Sequence, residues 1–169
     1  INELFELIEK SYNEVWTKTK KEKAKSLGYS IPELVTIASI VQSESGIKTE
    51  QQKIAGVYIN RLKQDMKLQA DPTVVFANGN FDVQRVLSSD KEIDSPYNTY
   101  RYKGLPPGPI CLVNPSTIDA VLNYTKHNYT YFCAKPDFSG YSNFTNDYKV
   151  HMKNAVAYQE ALNKKGIKR

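Results

Sequence analysis

A chain of 169 residues, 40% hydrophobic and 24% charged, fits one globular domain, or one domain with an appendage, and can bury a core without disulfide staples. No stretch approaches the roughly 20 apolar residues of a membrane span, no signal peptide is visible, and two cysteines without a CxxC pair, with two distant histidines, argue against a structural zinc site. The net charge of +5 gathers at the ends, in Lys18–Lys25 and Lys164–Arg169, a distribution that suits a solvated helix face or an anionic surface and argues against a nucleic-acid partner.

The chain opens inside a helical pattern, as a piece trimmed from a longer protein would. Leu4, Phe5, Ile8, Tyr12, Val15 and Trp16 recur at helical spacing, which predicts one amphipathic helix over residues 1–27, stopped by Gly28. Its lysine-rich second half has few apolar residues and is expected to project into water. Ser30-Ile31-Pro32-Glu33 reads as a capping box with proline in the first turn. The helix it opens runs through Leu34, Ile37, Ala38 and Val41 to Ser45, and Gly46 ends it. A second box, Thr49 to Gln52, opens a helix through Ile54, Tyr58 and Leu62. Asp71-Pro72 reads as an N-cap followed by proline, predicting a short helix over 72–77. Residues 78–114, interspersed with glycine and proline, predict a long irregular segment of the kind that is usually functional. A helix over 115–123 comes next. Tyr129 to Cys133 is a strand by composition, Asn143-Phe144-Thr145 pairs with it across the turn at 136–140, and a helix over 147–164 closes the chain. The fold class expected is α+β, mainly helical with a small antiparallel sheet.

One residue on the helix 32–45 stands out. Leu34, Ile37, Ala38 and Val41 form an apolar stripe, and Glu44, three residues after Val41, sits at its edge and points toward the core. Desolvation there raises a carboxyl pKa, which is what a general acid needs near neutral pH. The same position also suits a structural ion pair with Arg61 or Lys53.

Two further segments carry polar groups between apolar anchors. Asn60-Arg61-Leu62 and Leu68-Gln69-Ala70-Asp71-Pro72 place Asn60, Arg61, Gln69 and Asp71 close together in sequence. Asp71 also reads simply as a helix cap, and Arg61 as a solvated helix end. Tyr97-Asn98-Thr99-Tyr100-Arg101-Tyr102 is followed by Gly104-Leu105-Pro106-Pro107-Gly108-Pro109-Ile110. A stiff loop presenting tyrosine and asparagine can stack on sugar faces and bond sugar hydroxyls. It is equally a braced polyproline segment or a docking motif for another protein.

Taken in order, these segments resemble the YceG-like family of endolytic murein transglycosylases. The matching stretches are Ala38-Ser39-Ile40-Val41-Gln42-Ser43-Glu44, Val57-Tyr58-Ile59-Asn60-Arg61-Leu62, Leu68-Gln69-Ala70-Asp71-Pro72-Thr73-Val74, Tyr97-Asn98-Thr99-Tyr100, residues 104–110 and Asn114-Pro115. Phe144, Tyr148 and His151 continue the pattern. The resemblance covers roughly residues 30–165, with departures at Gln42, Ser142 and Val150, where many relatives carry an acid, a histidine and an acid.

The resemblance implies cleavage of the β-1,4 bond between N-acetylmuramic acid and N-acetylglucosamine inside peptidoglycan strands, leaving a 1,6-anhydromuramyl end. It places the catalytic glutamate on Glu44. Gln69, Asn98 and Tyr100 are then candidates for holding the sugars, with Asn60, Arg61 and Asp71 around them. It implies a parent protein anchored at the outer face of the bacterial membrane, with residues 1–29 as a connector helix and 30–169 as the catalytic domain. Cell-wall synthases are the expected protein partners, and no metal or organic cofactor is expected. Two rival readings remain: a muramidase-type hydrolase pairing Glu44 with Asp71 or Glu50, and a non-catalytic glycan-binding scaffold. Whether Cys111 and Cys133 are joined cannot be read from their spacing.

Overall fold

The computed structural model describes residues 2–83 and 85–167; Ile1, Gln84, and Lys168 and Arg169 of the C-terminal basic cluster lie outside it. Among the described residues, seven helices and one hairpin succeed one another. Helix α1 spans Asn2–Val15 and α2 spans Lys18–Leu27, so the single helix expected over 1–27 is two. The break falls at Trp16-Thr17. Trp16 turns into the core, only 4% exposed, whereas α1 buries none of its residues. Thr17 is extended and its hydroxyl accepts from the Lys20 backbone N–H, restarting the helix. Burying a large aromatic side chain stabilises by roughly 2–3 kcal/mol, more than the roughly 1 kcal/mol lost with an interrupted helical hydrogen bond.

Helix α3, Ile31–Glu44, starts where the capping box predicts: the Glu33 carboxylate accepts from Ser30 N at 2.8 Å, and Ser30 Oγ accepts from Glu33 N at 3.4 Å. Helix α4 is Lys48–Lys63. The second capping box does not form, because Ile47 is the N-cap and Thr49 already lies inside the helix. Gln51 instead donates its amide to Ser45 O at 2.7 Å, across the turn between α3 and α4. Helices α5 (Asp71–Asn78) and α6 (Pro115–Leu122) are short. Between them the described residues are irregular except for one 3₁₀ turn, Ser89–Glu92. Strands β1 (Tyr131–Ala134) and β2 (Ser142–Thr145) pair antiparallel, Tyr131 opposite Thr145 and Ala134 opposite Ser142. Helix α7, Tyr148–Lys164, is capped by Asp147, whose carboxylate accepts from Lys149 N and Val150 N.

Helices α3, α4 and α6 build the core around Ile37, Val41, Ile54, Tyr58, Ile118 and Val121. The α2 helix does not project into water as expected. It buries Ala24 against this bundle, and Lys20 pairs with Asp119 of α6 at 2.6 Å. No helix among the described residues is long and apolar enough to cross a membrane.

Two close contacts hold the frame around the cleft. Gly56 on α4 lies under the segment 125–129: a Cβ there would fall 2.6 Å from both His127 Nε2 and Thr125 O. The bare backbone lets that segment run along α4 into β1. On α3, Gln42 donates its amide to Leu112 O at 2.7 Å and accepts from Asn114 N at 2.7 Å and Thr117 Oγ1 at 3.1 Å. One side chain thus staples the end of the irregular segment to the start of α6. A glutamate here would lack the donor that Leu112 O requires, which accounts physically for the amide at this position.

Candidate active site

A cleft of about 830 Å³ runs between the C-terminal end of α3 with α5 on one side and the β1–α7 face on the other. Glu44, Arg61, Gln69, Asp71 and Tyr100 all line it; Asn60 and Asn98 do not.

Glu44 is the last residue of α3 and is half-buried at the cleft wall. Its Oε1 accepts from the Tyr58 hydroxyl at 2.6 Å. Burial pushes the carboxyl up to about 7; the Tyr58 hydrogen bond opposes the rise, the charge of Asp71 adds to it, and Arg61 opposes it. The negative end of the α3 dipole acts in the same direction as burial. The group is thus an acid that holds and releases a proton near neutrality. No ion pair within 4 Å forms with Arg61 or Lys53: Lys53 pairs with Glu50 at 3.6 Å, and the Nε and Nη1 donors of Arg61 go elsewhere.

Arg61 is buried, so it is not a solvated helix end. Nε donates to Thr130 O at 2.6 Å, and Nη1 to Lys67 O, Leu68 O and Gln69 Oε1 at 3.0, 2.8 and 3.2 Å. It ties the loop after α4 to the entry of β1 while leaving positive charge beside the acid. Gln69 adopts a left-handed backbone (φ 52), and its N–H donates to Thr99 O at 3.1 Å. For a non-glycine residue that conformation costs about 1 kcal/mol. The turn exposes the Gln69 side chain in the cleft. With the carbonyl held by Arg61, its NH₂ has no protein partner among the described residues.

Asp71 is not the cap of α5. Ala70 occupies that place without a side-chain bond, and Asp71 stands in the first turn. Its Oδ1 accepts from the Tyr100 hydroxyl at 2.5 Å and pairs with Lys91 at 3.2 Å. Burial, the Asp71 charge and this hydrogen bond push the Tyr100 phenol far above its ordinary range, so it stays a donor.

The two asparagines brace the site from behind. Asn98 is 0% exposed; its amide donates to Lys91 O and Ile93 O at 2.9 and 2.8 Å, and its carbonyl accepts from Tyr100 N at 2.9 Å. All its hydrogen-bonding groups are spent on the loop that presents Tyr100, so the sugar contact expected of it has no free atom to make it. Asn60 donates to His127 O and Tyr129 O at 2.8 and 2.9 Å, fixing the path into β1. Glu50, the other carboxylate considered beside Glu44, is 1% exposed and accepts from Ser142 N at 2.8 Å, holding the hairpin to α4 outside the cleft.

The opposite wall brings together Tyr148 and His151, which the sequence pattern marks without assigning them a role, and Tyr131, which it does not mark. Tyr131 of β1 and Tyr148 and His151 of α7 line it together. Tyr131 and His151 stack at 5.0 Å and 22°, and Tyr131 and Tyr148 meet at 5.7 Å. The i, i+3 spacing puts Tyr148 and His151 on one face of α7. Beyond α5, Arg85 donates to Asn163 Oδ1 at 2.8 Å and Ile167 O at 3.3 Å, closing the cleft's flank against α7. Cys111 and Cys133 are free thiols on the cleft surface.

A desolvated carboxyl with Arg61, Asp71 and Tyr100 near it, and an aromatic wall across from it, make this cleft the candidate catalytic site. The model of the YceG-like family matches residues 1–157, and the chain belongs to that family. It is 43% identical over 150 residues to an endolytic murein transglycosylase of Bacillus subtilis (strain 168), covering 89% of this chain and 41% of that protein. It is 38% identical over 139 residues to the endolytic murein transglycosylase of Streptococcus pneumoniae serotype 2, covering 79% and 25%. The crystal structure of a yceG-like protein from Listeria monocytogenes superposes with a TM-score of 0.73 at 36% identity, over 80% of this chain and 43% of that one. The chain therefore spans less than half the length of the relatives it matches.

Proposed function

We propose that this chain is the catalytic part of an endolytic murein transglycosylase, cutting the bond between N-acetylmuramic acid and N-acetylglucosamine within peptidoglycan strands. The observation that carries the reading is the Glu44 carboxyl, held near pKa 7 by burial at the cleft wall. Protonated, Glu44 gives its proton to the glycosidic oxygen as the C1–O bond breaks and positive charge develops on the muramic ring. The carboxylate then takes the proton of the muramic C6 hydroxyl as that oxygen bonds to C1, closing the 1,6-anhydro ring and restoring the acid. The nucleophile belongs to the substrate, so one carboxyl serves both steps. The Gln69 amide and the Tyr100 hydroxyl face the substrate, and Arg61, Asn60 and Asn98 hold the surrounding loops.

The second reading, a hydrolase, rests on Asp71, the other carboxylate in the cleft. A base that activates water needs an unengaged carboxylate, and Tyr100 and Lys91 both draw on Asp71 Oδ1, which leaves it a holder of that loop first. The products separate the two readings. Purified peptidoglycan is digested with the protein and with Glu44→Gln, and the muropeptides are read by mass spectrometry. Anhydromuropeptides from the native protein, reduced at least about a hundredfold in the variant, are expected. Reducing muramic ends turn the assignment to a hydrolase, and no products from either protein refute the enzyme reading.

In the same reading, α1 is the connector, while α2 shares the catalytic core. The parent protein is anchored at the outer face of the bacterial membrane and works beside cell-wall synthases.

A further inference from the structure

His151 is at odds with the rest of the interior. Its Nδ1 is the buried side-chain polar atom without a hydrogen-bond partner among the described residues. The other buried amides, hydroxyls and guanidinium around the cleft are satisfied, several of them two or three times over. A buried group left unpaired costs about 1–3 kcal/mol, and an orphaned N–H costs more than an orphaned lone pair. The cheaper state of the ring is therefore neutral, with the lone pair on Nδ1 and the proton on Nε2. Burial, and then the Arg61 charge, push the His151 pKa down and favour the same neutral ring.

His151 also lines the cleft, so Nε2 is not closed off from a ligand there. The ring thus presents one N–H donor to the cleft. It cannot swing away freely, because it is stacked on Tyr131 at 5.0 Å. Tyr131 is itself covered by the Arg61 guanidinium, 5.2 Å from its ring centre. Beside this donor on α7 stand Tyr148 and Met152, 59% and 42% exposed, both in the cleft. A fixed neutral donor next to exposed apolar side chains suits a group that is half strong neutral acceptor and half methyl.

We propose that His151, Tyr148 and Met152 form a subsite for the acetamido group of an N-acetylhexosamine, with His151 Nε2–H donating to the amide carbonyl and the acetyl methyl packing against Met152 and the Tyr148 ring. This rests on the glycan-cleaving reading of the cleft. It assigns recognition to the α7 wall, across from the acid, and makes His151 a residue that selects N-acetylated sugar.

The test uses the protein carrying Glu44→Gln, so that no probe is consumed, with chitopentaose and cellopentaose. These are neutral β-1,4 chains that differ in the 2-acetamido group against a 2-hydroxyl. Histidine-ring ¹⁵N spectra are expected to show His151 protonated at Nε2, and to show that signal moving with chitopentaose but not with cellopentaose. Adding His151→Ala is expected to weaken chitopentaose roughly three- to tenfold, the worth of one hydrogen bond, and to erase the preference over cellopentaose. His151→Gln, which carries an N–H₂ at a similar reach, keeps most of both. A proton on Nδ1, no shift with either sugar, or an unchanged preference in a folded His151→Ala protein overturns the subsite. Release of anhydromuropeptides by the native protein is scored separately. If that release persists while the sugar preference ignores His151, only the subsite falls; if it is absent, the parent reading falls as well.

Discussion

Glu44→Gln should make the protein more stable, and by an amount that depends on pH. In the unfolded chain this carboxyl titrates near 4.5, and in the folded chain near 7. Between those values the native state holds a proton that the unfolded state has released. Stability is therefore present in full below about pH 4.5 and is lost as pH rises through 7. At about 1.4 kcal/mol per pH unit the loss reaches about 3 kcal/mol once both states are ionised. Glutamine keeps the acceptor for the Tyr58 hydroxyl, 2.6 Å from Oε1, and carries no charge to desolvate. Urea unfolding of both proteins at about pH 4.5 and 8.5 measures this. The variant is expected to match the native protein within roughly 1 kcal/mol at the lower pH and to exceed it by up to about 3 kcal/mol at the higher one, several degrees in Tm for a chain of this size. A difference that is the same at both pH values would falsify the desolvated-acid account. The same titration predicts that activity falls as pH rises through about 7, since the proton donor is lost there.

Three other substitutions test the surroundings of that acid. Tyr58→Phe removes the hydrogen bond that holds the Glu44 pKa down, so the alkaline limb of the pH–rate profile should move upward; an unmoved limb means the hydroxyl does not tune the acid. Gln42→Glu sets a carboxylate against Leu112 O in place of a donor and should lower stability by about 1–3 kcal/mol at neutral pH; urea midpoints at about pH 3.5 and 7 should show the deficit shrinking in acid, where the new group can donate. Gly56→Ala forces a methyl to 2.6 Å from Thr125 O and His127 Nε2, an overpacking cost of about 1–3 kcal/mol that a thermal melt detects; a native-like Tm means the 125–129 segment is free to move off α4.

The sequence disclosed most where the physics is local. The Ser30–Glu33 box and the Asp147 cap satisfy backbone groups within three residues, so both helix starts were readable. Glu44 was found because a carboxyl at the margin of a buried stripe is odd on any helical wheel. The break at Trp16 was hidden, since the apolar spacing runs through it and only the finished core gives the indole somewhere to go. Asp71 looked like a cap because Asp-Pro opens helices, but its partner Tyr100 lies 29 residues away. Asn60 and Asn98 carry the right chemistry for sugar, yet remote carbonyls had already claimed their amides. Tyr148 and His151 were marked by the sequence pattern but given no role, because their role as a wall appears only when the hairpin carries Tyr131 against them.

The bond between Tyr58 and Glu44 joins the middle of α4 to the end of α3. Two residues before Tyr58 on α4, Gly56 lets the 125–129 segment press on the helix, so that packing sets where the Tyr58 hydroxyl stands. The acid's strength is therefore a property of helix register, and a small slip along α4 would detune it. A protein built this way can have its pH optimum reset by substitutions deep in the core that never meet the substrate, and two relatives with identical cleft residues need not work best at the same acidity.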